Sequence, residues 1–111
     1  MSMNSQARIV IVGGGIMGVA LAYHLAEEGE TNVMLIEKGE LTSGSTWHAA
    51  GQCPSLGSNY NLAKIHDYGN RLYPTLEEKT GQYVSWHASG GIRVARQQAD
   101  IDWFHYMKGI A

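Results

Sequence analysis

The segment that most constrains this chain is Gly13-Gly-Gly-Ile-Met-Gly18, set directly after the β-branched run Ile9–Val12. A short, continuous apolar run of this kind reads as a buried parallel strand. After the glycines, Met17, Leu21 and Leu25 recur every four residues, with Ala20, Ala22 and Ala26 between them. That spacing predicts a helix with one apolar face and small residues for close packing. Gly29 stands where a helix-terminating glycine belongs. Glu30-Thr-Asn32 then turns the chain into a second apolar strand, Val33–Ile36, which ends at Glu37. Residues 8–37 therefore read as strand, helix, strand, and the right-handed crossover rule makes the two strands parallel neighbours.

Each glycine of Gly13-x-Gly15-x-x-Gly18 has a physical reason. Gly13 permits a tight turn, Gly15 lets backbone approach a pyrophosphate, and Gly18 lets the helix pack closely on the strand. Backbone amides near Ile16, Met17 and Gly18 would then face phosphate oxygens, aided by the helix dipole. Glu37 follows Gly18 by 19 residues, the spacing of a carboxylate that accepts from ribose hydroxyls. A glycine-rich turn that binds nothing is the plainer reading, but strand, helix and acidic residue all stand where a dinucleotide site needs them. The motif alone does not separate FAD from NAD. Glu37 argues against NADP, whose 2′-phosphate it would repel.

Residues 39–61 are rich in Gly, Ser, Thr and Asn. They read as a long loop with a short helix inside it, and long loops in small domains usually carry function. Small residues in Leu41–Gly51 let the chain run close to a bulky ligand, and Ser45 and Thr46 offer hydroxyls. His48 is a nucleophile by residue type; its plainer reading is a loop histidine beside a packed Trp47. From Leu62 to Leu76 the spacing is helical. Pro74 is expected to kink that helix or begin another, and Thr80-Gly81 ends it. Tyr83–His87 and Gly91–Ala95 predict a β-hairpin across an Ala-Ser-Gly turn, and Asp100–Met107 predicts a further helix.

Composition narrows the function classes. The 111 residues are 44% hydrophobic, with a net charge of −2. Nothing there recommends nucleic acid or an anionic membrane as a partner. No run nears the roughly 20 apolar residues of a membrane span. A single cysteine, Cys53, excludes an internal disulfide and fits a reducing compartment. His24 reads as a packing or surface residue of the first helix, and His87 and His105 lack partners at metal-ligand spacing, so no metal is expected. His66 and Asp67 read as solvated, Cys53 as buried or cofactor-adjacent. Glu77 and Glu78 are consecutive on a helix and make no acid–base pair.

The chain resembles the dimethylglycine and sarcosine dehydrogenases, within the D-amino-acid-oxidase-like FAD superfamily. The resemblance spans residues 8 to about 107. It rests on the glycine motif, Leu35-Ile-Glu-Lys38, Gly44-Ser-Thr-Trp-His-Ala-Ala-Gly51, Ala63-Lys-Ile-His66, Leu76-Glu-Glu-Lys-Thr-Gly81 and Gly90-Gly-Ile-Arg-Val-Ala95. Pro74 and Gln52-Cys-Pro54 depart from it, which bears on the substrate rather than on the cofactor. The resemblance implies that FAD is held by Gly13, Gly15, Ile16, Met17, Gly18, Glu37, Lys38, Gly44, Ser45, Thr46, His48 and Gly51. It also implies a covalent bond from His48 to the flavin 8α-carbon.

The fold expected is α/β: an incomplete Rossmann-type FAD-binding βαβ unit over 8–37, followed by a helical segment and a β-hairpin. Residues 1–7 are expected to be a flexible tail, 39–61 the flavin loop, and 62–111 the start of a substrate-side region. The resemblance implies an FAD-dependent amine oxidoreductase that takes a hydride from an N-methylated amino acid or a related secondary or tertiary amine. The resulting iminium is hydrolysed by water. Its electron acceptor would be oxygen or an electron-transfer protein. The chain would be the N-terminal part of that enzyme, inactive alone, with no catalytic residue of its own. Cytoplasm is the expected location, or the mitochondrial matrix if a transit peptide was removed. Two other readings stay open on the residues: an NAD-dependent dehydrogenase, and a non-catalytic regulatory subunit of the same superfamily.

Overall fold

The computed structural model describes residues 6–110, so most of the expected tail at 1–7 lies outside the described residues. Contacts divide the chain into two compact units, Met1–Gly51 and Gln52–Ala111.

The first unit is the predicted βαβ. Strands β1 (Ile9–Val12) and β2 (Val33–Ile36) pair in parallel, with Ile9 opposite Val33 and Val12 opposite Ile36. Helix α1 (Ile16–Glu27) crosses between them, and Gly29 follows its end at φ 82°, as a helix-ending glycine should. An Arg8–Glu30 ion pair joins the start of β1 to the turn before β2.

Gly18 sets the distance between helix and sheet. A Cβ there would collide with the Gly13 carbonyl oxygen and press on Ile11 Cγ2. Only glycine lets α1 come down onto the Ile11 face, and Ile11 is 6% exposed as a result. The alternate face of β1 is open, with Val12 84% exposed. The face of α1 differs from the sequence reading. Met17 is 82% exposed and Leu21 is also exposed, whereas Gly18, Ala22 and Leu25 are partly covered. The helix turns its smallest residues to the sheet because close approach there, rather than side-chain volume, decides the packing.

In the second unit, α2 (Tyr60–Thr80) begins at Asn59, whose side chain accepts from the Leu62 amide at 3.0 Å. It ends at Gly81 in the left-handed region. Pro74 lies inside it and the helix continues past that residue, so no second helix begins there. A proline removes one backbone donor, and the Thr75 hydroxyl donates to the Leu72 carbonyl in the turn around it (2.8 Å). Helix α3 (Gln98–Ile110) starts earlier than expected. Asp100 folds back to accept from the Arg96 and Gln97 amides and so closes its first turn.

The predicted hairpin is absent: residues 82–95 carry no strand. Ser89 N–H bonds locally to the His87 carbonyl, and Trp86 stacks on Tyr73 with centroids 5.8 Å apart. Ile92 is 94% exposed. A two-stranded hairpin needs a packed face to be stable in water, and Tyr83, Ile92 and Val94 of this segment stay exposed.

Among the described residues no helix is long and apolar enough to cross a membrane. Only Ile11, Ala63 and Met107 are buried hydrophobic residues among them. So few buried side chains do not offset chain entropy. The 111-residue chain alone should show no cooperative melt, and calorimetry is the check. A sharp transition in the usual range of about 45–65 °C would contradict it.

Candidate functional site

The turn between β1 and α1 is held from two sides. Glu37, at the end of β2, accepts from the Gly14 amide through Oε2 (2.6 Å) and from the Gly39 amide through Oε1 (3.0 Å). These backbone donors, Gly14 first, hold its carboxyl below the ordinary value of 4.5. Each oxygen keeps a further lone pair for a ribose hydroxyl. Gly14 is buried against Leu41 and Glu37, leaving no room for a side chain.

The loop returns to the same turn. Thr42 N–H donates to the Gly14 carbonyl (2.9 Å), and Ile16 N–H donates to Thr46 Oγ1 (2.9 Å). A Cβ on Gly15 would lie 3.1 Å from that hydroxyl oxygen. The expected loop helix is one 3₁₀ turn, η1 (Ser45–His48). Within it His48 Nδ1 lies 3.1 Å from the Gly44 carbonyl oxygen, and Ala49 N–H donates to the Thr46 carbonyl (3.2 Å).

These segments enclose a cleft of about 410 Å³. Gly15, Ile16, Met17 and Gly18 line one side, Glu37 and Lys38 the end of β2, and Gly44, Ser45 and Thr46 the loop. Gly13, His48 and Gly51 of the predicted set do not line it. Gly13 instead closes the turn by donating to the Ile36 carbonyl (2.8 Å). His48 is exposed, its ring 4.4 Å from that of Trp47, and Gly51 holds a positive φ of 69°. Trp47 is 69% exposed, so the packed partner of the plainer reading is not found. Thr42 and Ser43 also line the cleft. Sequence reasoning passed over them, although they share the small-residue run that flagged Ser45 and Thr46.

The donor set fits a dinucleotide. Helix geometry leaves the Met17 and Gly18 amides without intrahelical i−4 partners. They stand at the positive end of α1 in the cleft wall, with Lys38 near by in sequence to Glu37. The Ile16 amide, expected to face phosphate, is already taken by Thr46.

The family follows from comparison with known proteins. The model of the FAD-dependent oxidoreductase family (DAO) matches residues 8–110. The chain belongs to that family. It is 52% identical to human mitochondrial dimethylglycine dehydrogenase over 101 residues, 91% of this chain and 12% of that protein. It is 38% identical to 4-methylaminobutanoate oxidase (formaldehyde-forming) of Paenarthrobacter nicotinovorans, over 96% of this chain and 13% of the relative. With human mitochondrial sarcosine dehydrogenase it shares 35% identity, over 88% of this chain and 11% of the relative. The chain thus spans about one eighth of the length of these relatives.

In the second unit, the loop Gln52–Pro54 and one face of α2 line a cavity of about 250 Å³. His66 borders it with a buried Nδ1 that has no hydrogen-bond partner, so His66 is not the solvated residue expected. Cys53 also borders the cavity but is exposed rather than buried.

A depressed Glu37 carboxyl has a signed consequence for stability. Its contribution is fully present above the ordinary value of 4.5 and is lost as pH falls through the lower folded value. In the holoprotein, the denaturation gap between wild type and Glu37→Gln should stay constant from pH 7 down to about pH 5 and close only in stronger acid. A gap that closes between pH 7 and 5 would contradict the assignment.

Proposed function

We propose that the protein carrying this chain oxidises an N-methylated amino acid, with FAD seated in the Gly15–Thr46 cleft and bonded to His48. The observation that carries this reading is the 52% identity to dimethylglycine dehydrogenase across 91% of the chain. By their names, the three relatives act on dimethylglycine, 4-methylaminobutanoate and sarcosine. These share an N-methyl amine and a carboxylate, which defines the substrate class. Bound FAD supplies the hydride acceptor. Loss of hydride from an N-methyl carbon leaves an iminium, and water splits it into formaldehyde and the demethylated amine. The electrons pass on to oxygen or an electron-transfer protein. No nucleic-acid or membrane partner belongs to this reading. Its location is the cytoplasm, or the mitochondrial matrix, in keeping with the mitochondrial dimethylglycine dehydrogenases it resembles.

Within this chain, Met17 and Gly18 amides and Lys38 hold the pyrophosphate, and Glu37 accepts from ribose hydroxyls. Gly13, Gly15 and Gly51 supply the close turns, and Gly44, Ser45 and Thr46 carry the loop along the cofactor. His48 has the tautomer that attachment needs. A carbonyl oxygen only accepts, so Nδ1 must be the protonated nitrogen in its bond to Gly44. Nε2 then keeps its lone pair, on a ring that is exposed. Attachment would join Nε2 to the flavin 8α-carbon in place of one methyl hydrogen; the methyl proton and the Nδ1 proton would go to solvent, and the electron pair would pass to the acceptor that serves turnover.

Denaturing gels of the holoprotein viewed under ultraviolet light test the attachment. Wild type should keep a fluorescent band, and His48→Ala should lose it while still binding FAD reversibly. Complete release of flavin from wild type on acid precipitation would end the covalent reading and leave the FAD site standing. Gly15→Val tests the site itself. Its side chain would push into Thr46 Oγ1, 3.1 Å from the Cβ position, and the purified protein should be colourless. Full yellow colour in this variant would show the cofactor lies elsewhere. Formaldehyde release from dimethylglycine, sarcosine and 4-methylaminobutanoate, measured side by side, ranks the substrates. No release from any of them would overturn the substrate class.

A further inference from the structure

We propose that the cavity in the second unit is a binding site for a small uncharged carboxamide, separate from the dinucleotide cleft. The proposal stands on the residues of α2 and the loop before it and does not depend on the FAD reading. It gives a role to Gln52-Cys-Pro54, the segment at which the chain departs from the dehydrogenases it resembles.

Helix periodicity builds one wall. Ile65, His66, Gly69, Asn70 and Tyr73 recur at the spacing of a single helix face, and all five line the cavity of about 250 Å³. The loop forms the other wall, and Asn70 ties the two together: its Nδ2 donates to Ser55 Oγ (3.1 Å). Trp86 stacks on Tyr73, with centroids 5.8 Å apart, and steadies that ring. Gly69 is the residue that the helix does not ask for. Glycine inside a helix is less stable than alanine. A Cβ there would meet only Tyr73 Cε2, at an ordinary 3.7 Å, so packing does not exclude a side chain. Because Gly69 lines the cavity, what the missing side chain leaves is room in it.

The lining selects by charge. Among the described residues that line the cavity there is no Lys, Arg, Asp or Glu. A phosphate, carboxylate or ammonium would lose its hydration there without a counter-ion, which excludes a dinucleotide and an amino-acid zwitterion alike. Uncharged hydrogen-bonding side chains are present instead. Gln52 and Asn70 each offer a carbonyl oxygen and an amide nitrogen, and one N–H of Asn70 is left after its bond to Ser55. His66 has its Nδ1 buried without a partner, so Nε2 is the nitrogen left to meet a ligand. A carboxamide matches this set, because its oxygen accepts while its N–H groups donate. Pro54, Ile65 and the Tyr73 ring take an apolar body. A cavity of about 150 Å³ holds benzene, so this one has room for a ring and its amide group.

Benzamide is the probe, and Cys53 reports where it binds, because that residue is exposed and borders the same cavity. In the full-length protein that carries this chain, calorimetry should show benzamide binding. Saturating benzamide should slow alkylation of Cys53 by iodoacetamide at least about fivefold, read by mass spectrometry of the Cys53 peptide, since a bound ligand covers the groups it touches. Benzoate and benzylamine keep the ring and add a charge, and each should bind at least about tenfold more weakly. Gly69→Leu puts a side chain into the cavity and should abolish both binding and protection. His66→Phe should weaken benzamide about three- to tenfold, as expected for one lost hydrogen bond. Thermal melts followed by circular dichroism establish that each variant is folded. No benzamide binding, no protection of Cys53 at saturation, or equal binding of benzoate would overturn the proposal. So would wild-type affinity in a folded Gly69→Leu or His66→Phe variant. If Gly69→Leu does not fold, Cys53 protection and His66→Phe decide the matter.

Discussion

The Glu37 carboxylate holds the site together. One oxygen takes the Gly14 amide at the end of β1 and the other takes the Gly39 amide just past the end of β2. The parallel ladder joins the strands along their length. Glu37 joins them again at the carboxyl end, where the chain has left the ladder. This places α1's first turn, because Gly14 sits two residues before it. It also starts the loop, because Gly39 begins the path to Thr42 and Thr46, which bond back to the same turn. A residue expected to read the ribose therefore also builds the place where a ribose would lie. The two roles agree chemically: backbone donors that keep the carboxylate ionised also keep it an acceptor-only group for hydroxyls.

The sequence was most legible where a feature is local and covalently spaced. The strand–glycine–helix–strand order, the helix-ending glycines at Gly29 and Gly81, and the α2 helix followed from steric rules that act over a few residues. Membership of the FAD-dependent oxidoreductases followed from the resemblance, and the family model bears it out. Legibility failed where the outcome depends on what lies opposite. Met17 and Leu21 look like a buried stripe by spacing, but Gly18 and its contact with Gly13 rotate the helix so that small residues face the sheet. Residues 82–95 alternate like a hairpin, yet most of their apolar side chains, Tyr83, Ile92 and Val94, stay exposed.

Within the candidate site the same division holds. The turn glycines, Glu37, Lys38 and the loop hydroxyls were visible as residue types at known spacing, and most of them meet in one cleft. Periodicity does not reveal that a loop hydroxyl 30 residues downstream takes the Ile16 amide. That bond depends on the path of residues 39–46, which Glu37 and Leu41 set through their contacts with Gly14. Likewise, His48 was singled out by resemblance, but the contact of its Nδ1 with a backbone carbonyl four residues back was not legible.

The charge balance at this turn would favour a dinucleotide with a free ribose over one bearing a 2′-phosphate. The favourable terms for a pyrophosphate are the positive end of α1, the open Met17 and Gly18 amides, and Lys38. All of these would attract a second phosphate equally well, so they do not discriminate. Discrimination falls to Glu37. Because its own backbone bonds lower its pKa, it remains an anion through the whole neutral range, and protonation cannot relieve its repulsion of another anion. Neutralising it as a glutamine would leave one acceptor oxygen where the Gly14 and Gly39 amides now take one each. Changing specificity by replacing Glu37 alone would therefore disturb the pyrophosphate site together with the ribose site. A successful switch would need a second group to hold Gly14, and that coupling ties the cofactor choice to the fold.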